Sequence, residues 1–217
     1  HRKIFIDLPG HGETGPTHLG DYQPQTMAKM LAEGLMQLNL GLMHLVSMGM
    51  SNSIAVALGQ IDALQVQQLT LIDPWCPNAS EMNAMCDHYA PDLTPSEYGE
   101  HLMRGWYFAR DSELYFPWYD TKNANALKRE PEIEPQKTHA RAVDALKAGT
   151  ELKRVAKDMI GYDVEANLRD ISLNTKVYAW TGNGREKYAE RIHRAISGSK
   201  LYYLPENRSQ WSINLSE

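Results

Sequence analysis

The sequence contains little cysteine, with Cys76 and Cys86 as the two examples among 217 residues. Two widely separated cysteines cannot build the disulfide framework of a small secreted domain or the paired cysteine ligands of a zinc site. Positive charge is also scarce, because the formal net charge is −5 and the pI is near 5.9. Proteins that bind nucleic acids neutralise phosphates with basic clusters, so nucleic-acid binding is not expected here.

Long apolar runs are missing as well. No stretch approaches the roughly 20 residues that span a bilayer, and no signal peptide opens the chain. We therefore expect a cytoplasmic protein with reduced thiols, no membrane contact, and no metal or cofactor. The chain begins at His1 rather than Met, which favours a truncated chain. Its 42% apolar and 23% charged residues are typical of a globular domain, and its length predicts one domain, with or without an insertion.

Apolar periodicity predicts strands alternating with helices in the first and last parts of the chain. The predicted strands are 3–6, 44–48, 68–72, 175–181 and 200–204, and the helices between them are 26–39, 53–64 and 185–196. Such alternation implies an α/β fold, with a mostly parallel sheet flanked by helices. From about residue 76 to 167 the pattern is helical instead. We predict an α/β core formed by 1–75 and 168–217, interrupted by a helical insertion at 76–167.

Three helices are predicted within this insertion. Thr94-Pro95-Ser96-Glu97 has the pattern of a capping box with proline at the first helical position, so a helix is expected to begin there. Residues 136–148 and 150–160 form two further helical patterns separated by Gly149. Seven aromatic residues lie between Trp106 and Tyr119. They either line a site for an apolar or aromatic small molecule or form the insertion's own core.

Ser51 is the candidate nucleophile. Gly49-Met50-Ser51-Asn52-Ser53 follows a predicted strand and precedes a predicted helix, which is the context of the G-x-S-x-G nucleophile elbow. In that turn the serine occupies strained backbone, and small residues on either side let strand and helix pass closely. The backbone N–H of Asn52 would then help to hold an oxyanion. The same pattern also occurs in ordinary loops, where the serine is a cap or loop residue.

Five segments carry a resemblance to the α/β-hydrolase superfamily. They are IFIDLPGHGET at 4–14, LNLGLMHLVSMGMSNSIAVALG at 38–59, LTLIDPW at 69–75, VYAWTGNG at 177–184 and KLYYLPEN at 200–207. The resemblance implies an α/β-hydrolase fold that lacks its first strands and carries a helical cap at 76–167. It also implies a Ser–His–Asp/Glu triad, in which histidine takes the serine proton and the acid orients the histidine.

The triad is incomplete in this sequence. Arg185 stands where the resemblance places the acid, which leaves Glu186 and Asp73 as tentative acids, although Asp73 is more simply a strand-end residue. Ser209 or Gln210 stands where the histidine is expected. The chain therefore resembles a truncated or degenerate member of the superfamily.

Three hypotheses about function follow. The first is a hydrolase that attacks a small ester, amide or related acyl compound with Ser51. The second is a catalytically impaired protein that binds a small ligand under the cap. The third is a lyase on the same scaffold.

Overall fold

The computed structural model describes residues 2–128, 131, 133–168 and 171–205 of the chain. Within these ranges, four parallel strands form one sheet in the order β1-β2-β3-β4. The strands are β1 (Met43–Met48), β2 (Val66–Ile72), β3 (Asn174–Trp180) and β4 (Lys200–Leu204). The predicted α/β class with a parallel sheet is confirmed.

Helices occupy both the alternating part of the chain and the long connection between β2 and β3. They are α1 (Pro24–Gln37), α2 (Asn52–Gly59), α3 (Ala79–His88), α4 (Glu100–Asp111), α5 (Pro135–Ala148), α6 (Glu151–Ile160), α7 (Val164–Leu168) and α8 (Glu186–Ala195). The helices α3 to α7 all lie in that connection, where the helical insertion was predicted. Among the described residues, no helix is both long enough and apolar enough to cross a membrane.

The main core lies between one face of the sheet and the helices α2, α7 and α8. Leu69, Leu71 and Val177 alternate toward this face, as the two-residue period of a strand requires. Val56, Leu168 and Ile192 reach them from the three helices and are fully buried. Each such side chain contributes about 1.5–3 kcal/mol through burial, so this layer fixes how the strand ends are positioned.

The predicted strand at 3–6 is wrong. These residues form no strand, and the Phe5 side chain is 92% exposed. A strand needs a neighbour to satisfy its backbone N–H and C=O groups, and in the described part of the chain β1 pairs only with β2. An apolar run without a ladder to join therefore remains outside the sheet.

The helix predicted to begin at Thr94 begins later, at Glu100. The Thr94 hydroxyl and backbone N–H both donate to the Asp92 carboxylate, at 2.7 and 3.0 Å, so this threonine closes a local turn and caps no helix. Gly99 precedes α4 instead, with φ at +76°, in the left-handed region that glycine tolerates. The division of α5 from α6 at Gly149 is confirmed, since α5 ends at Ala148 and α6 begins at Glu151.

Candidate functional site

The candidate site lies where the parallel strands end. Gly49 directly follows β1, Asp73 directly follows β2, and Arg185 lies in the turn after β3. Parallel strands bring their carboxyl ends to the same edge, which is the usual ligand-binding edge of an open α/β sheet. The segment between β2 and β3 adds aromatic side chains at this edge, because Phe116 lies against the Arg185 guanidinium at 4.9 Å.

The turn between β1 and α2 is made at Gly49. The chain is still extended at Met48, with φ at −137° and ψ at 139°. Gly49 then has φ at +65°, whereas Ser51 has φ at −65° and ψ at −9°, which is ordinary helical backbone. The strained position expected at Ser51 is therefore occupied by a glycine two residues earlier.

A sequence signal for this arrangement exists and was missed. In Ser47-Met48-Gly49-Met50-Ser51, small residues stand two before and two after the bend, which is the spacing that an elbow requires. A search restricted to serine at the centre selects Ser51 and skips Gly49. The positive φ of Gly49 identifies the centre of the turn, and glycine is the residue that adopts such backbone without steric cost.

The Ser51 hydroxyl is bound to the backbone of the strand end. It donates to the Met48 carbonyl at 2.9 Å and accepts the Met48 N–H at 3.2 Å. No histidine in the described ranges hydrogen-bonds to it. Ser209 and Gln210, at the expected place of the histidine, lie outside the described residues. The assignment of Ser51 as a nucleophile stays a prediction.

Asn52 connects the two strands and does not offer a free oxyanion donor. Its side chain is fully buried, accepts the Ser47 hydroxyl at 2.8 Å, and donates to the carbonyls of Gly49 at 2.6 Å and Ile72 at 3.1 Å. Its backbone N–H already donates to the Gly49 and Met50 carbonyls. The geometry therefore gives Asn52 the role of fixing the turn at the ends of β1 and β2.

Asp73 is held by a cation. Its buried carboxylate accepts the Asn183 amide at 2.5 Å and the Arg185 Nε–H at 2.9 Å, and the Arg185 Nη2 also donates to it. Burial acts to lower the pKa of Arg185, but the charge of the neighbouring Asp73 and the hydrogen bonds to its carboxylate, with smaller contributions from Tyr89 and Glu113, together outweigh burial and raise that pKa. Arg185, at the place of the expected acid, thus neutralises the tentative acid on the neighbouring strand end.

Glu186, the other tentative acid, closes the turn after β3. Its carboxylate accepts the Gly182 backbone N–H at 2.6 Å. Neither Glu186 nor Asp73 orients a histidine in the described part of the chain. Within the same ranges, no group of three or more His, Cys, Asp or Glu side chains could hold a metal ion.

A chain of aromatic rings in edge-to-face contact extends from the helical segment to the strand ends. It comprises Trp118, Phe108, Tyr89, Trp75 and Phe116, with centroid separations between 4.7 and 6.0 Å. Several aromatics of the 106–119 cluster therefore pack on one another, as the core alternative predicts. Trp75 lies at the end nearest Gly49, and its indole nitrogen is 4.0 Å from the position of a Cβ atom built on the glycine.

Comparisons with known proteins find solved structures of similar fold but no match by sequence. No protein-family model matches the chain, and no curated protein matches it significantly. The chain is similar to MenH from S. aureus, with a TM-score of 0.68, 17% identity, and coverage of 93% of this chain and 74% of that one. It is also similar to an esterase from Exiguobacterium antarcticum, with a TM-score of 0.64 and 20% identity, over 94% of this chain and 74% of the esterase. A third similar structure is the α/β hydrolase MGS-M2 from a Medee basin deep-sea metagenome library. Its TM-score is 0.67 and its identity 12%, over 92% of this chain and 70% of that one.

Proposed function

From the α/β-hydrolase fold that these similarities establish, we propose that the protein binds a small molecule at the carboxyl edge of its sheet without attack by a serine. The observation that carries the proposal is the positive φ of Gly49. An elbow presents its nucleophile on the strained residue at the strand-to-helix turn. Glycine has no side chain, so the turn has its elbow geometry but lacks the attacking group.

The surroundings of the turn support binding without hydrolysis. Serine attack needs a base to take the hydroxyl proton and an acid to orient that base. Among the described residues, Ser51 has only backbone partners, and Asp73 is neutralised by Arg185. When triad members are removed from a serine hydrolase, about 10³–10⁴-fold acceleration over water remains, which is far below efficient turnover.

Hydrolysis of a small ester or amide by Ser51 is the second candidate. The solved structures that resemble this chain include hydrolases and esterases, and the Ser51 side chain is partly exposed beside the start of α2. The proposed helical cap at 76–167 fits both candidates, because Tyr89 and Phe116 of that segment pack on Trp75, close to the end of β2. The apolar or aromatic nature of the small molecule is part of both proposals.

A fluorophosphonate probe separates the two candidates. We expect intact-mass spectrometry to find no adduct on the wild-type chain and no difference between wild type and Ser51→Ala. Hydrolysis of 4-nitrophenyl butyrate should likewise be the same in both. The matched control is Ser53→Ala, whose hydroxyl donates to the Met50 carbonyl at 2.9 Å. A stoichiometric adduct that disappears in Ser51→Ala and persists in Ser53→Ala overturns the proposal in favour of the hydrolase.

A further inference from the structure

We propose that the position beside Gly49 takes an uncharged, aromatic or apolar molecule with a hydrogen-bond acceptor, and that the Trp75 indole N–H donates to this acceptor. The inference rests on the proposed function, because it names the ligand class of the same site.

The first observation is open space at Gly49. In the described part of the chain, a Cβ atom built on this glycine has one heavy atom within 4 Å apart from its chain neighbours, the Nε1 of Trp75 at 4.0 Å. At Gly59, by contrast, a Cβ would come within 2.9 Å of the Leu173 side chain. The position that a nucleophile side chain would occupy at Gly49 therefore has room for part of a ligand.

The second observation is an unused donor whose nitrogen borders this space. The Trp75 side chain is 7% exposed, and an indole N–H can only donate. No acceptor among the described residues takes its hydrogen, whereas the indole N–H of Trp118 donates to the Tyr89 carbonyl at 2.5 Å. The Trp75 nitrogen is not among the fully buried nitrogen and oxygen atoms without a partner, which in the described residues are the hydroxyls of Tyr162 and Tyr188. It can therefore be reached from the open space and can donate to an acceptor on a ligand.

The indole is held in this orientation by its neighbours. Tyr89 packs edge-to-face on the Trp75 ring at 4.7 Å, and Phe116 does so at 5.3 Å. A donor fixed by packing loses little conformational entropy when it binds an acceptor. These rings also supply an apolar wall, which favours a ligand with an aromatic or apolar body.

The third observation is the balance of charge. Arg185, 5.9 Å from the Trp75 ring, is paired with the Asp73 carboxylate, and burial raises the pKa of Tyr89 to about 12. The Tyr89 hydroxyl is thus neutral at pH 7, and the ion pair has no net charge. A charged ligand would lose its hydration without gaining an opposite charge, so an uncharged ligand is favoured.

Three aromatic probes of similar size test the inference. Acetophenone is uncharged with a carbonyl acceptor, cumene is uncharged without an acceptor, and benzoate is charged. We expect isothermal titration calorimetry at pH 7 to rank acetophenone first. Trp75→Phe keeps an aromatic ring but removes the N–H donor. It should weaken the binding affinity for acetophenone by about 3–10-fold and leave the affinity for cumene unchanged. Trp106→Phe, which lines a separate apolar groove with Leu102 and Leu146, is the control and should change nothing.

A second variant tests the location. Gly49→Val fills the open space, and acetophenone binding should be lost while circular dichroism shows a folded chain. Binding that survives Gly49→Val, an unchanged acetophenone affinity in Trp75→Phe, or no binding by any of the probes overturns the inference. Preferred binding of benzoate that is lost in Gly49→Val overturns the uncharged class but leaves the proposed function intact. A Ser51 adduct with fluorophosphonate overturns the proposed function itself.

Discussion

Arg185→Met is expected to lower the free energy of unfolding by about 3–5 kcal/mol, because it leaves the Asp73 carboxylate buried and without its cation. The side chains of Arg185 and Asp73 are 14% and 8% exposed, so water cannot replace the lost partner. Urea denaturation of wild type and variant at pH 7 measures the difference.

Two comparisons show whether the loss comes from the buried charge. Arg104→Met removes the cation of an exposed pair with Asp92, whose side chains are 52% and 63% exposed, and should cost less than about 1 kcal/mol. Adding Asp73→Asn to Arg185→Met removes the orphaned charge and should restore part of the stability. Equal losses for Arg185→Met and Arg104→Met, or no recovery in the double variant, would contradict this role of the pair.

Asn52→Ala is expected to lower the free energy of unfolding by about 2–4 kcal/mol, because it leaves buried polar groups without partners. The Asn52 amide donates to the Gly49 and Ile72 carbonyls, and its oxygen accepts the Ser47 hydroxyl. The neighbouring Ser51→Ala removes a hydroxyl that, within the described ranges, hydrogen-bonds only to the Met48 backbone, so it should cost about 1 kcal/mol or less. Thermal and urea unfolding of both variants measure the difference.

The order of these two losses is informative about the turn. If Ser51→Ala costs more than Asn52→Ala, then Asn52 does not fix the ends of β1 and β2. If the order is as expected, the residue predicted from sequence to hold an oxyanion is instead a structural residue of the site.

The spacing of apolar residues predicted the sheet and most helices, because apolar residues recur about every 2 positions in strands and about every 3.6 positions in helices. The segments around β1 to β4, α5 and α6 alternate or repeat clearly enough to be read without knowledge of the fold. The errors at 3–6 and Thr94 have a different origin. An apolar run becomes a strand only when another strand pairs with it. The Thr94 hydroxyl donates to the Asp92 carboxylate and therefore does not cap a helix.

The candidate site was harder to predict because its decisive features are not local. Asp73 and Arg185 are 112 positions apart, and only the parallel arrangement of β2 and β3 brings them together. The sequence did show arginine in place of an acid, but not that this arginine neutralises Asp73. Similarly, the residue types around Ser51 match the nucleophile-elbow pattern, but the positive φ that defines the elbow is found at Gly49.

The residue that makes the strand-to-helix turn decides whether Ser51 can attack, and urea denaturation of two variants identifies that residue directly. With Ser51 in helical backbone at the start of α2, Ser51→Gly should lower the free energy of unfolding by about 0.5–1 kcal/mol, because glycine has more backbone freedom to lose and the hydrogen bonds of the hydroxyl to Met48 disappear. Gly49→Ala should lower it by about 1–2 kcal/mol, because alanine resists the positive φ at that position. If urea denaturation shows instead that Ser51→Gly stabilises the protein and Gly49→Ala is harmless, Ser51 is the strained residue and the serine-hydrolase alternative regains its geometry.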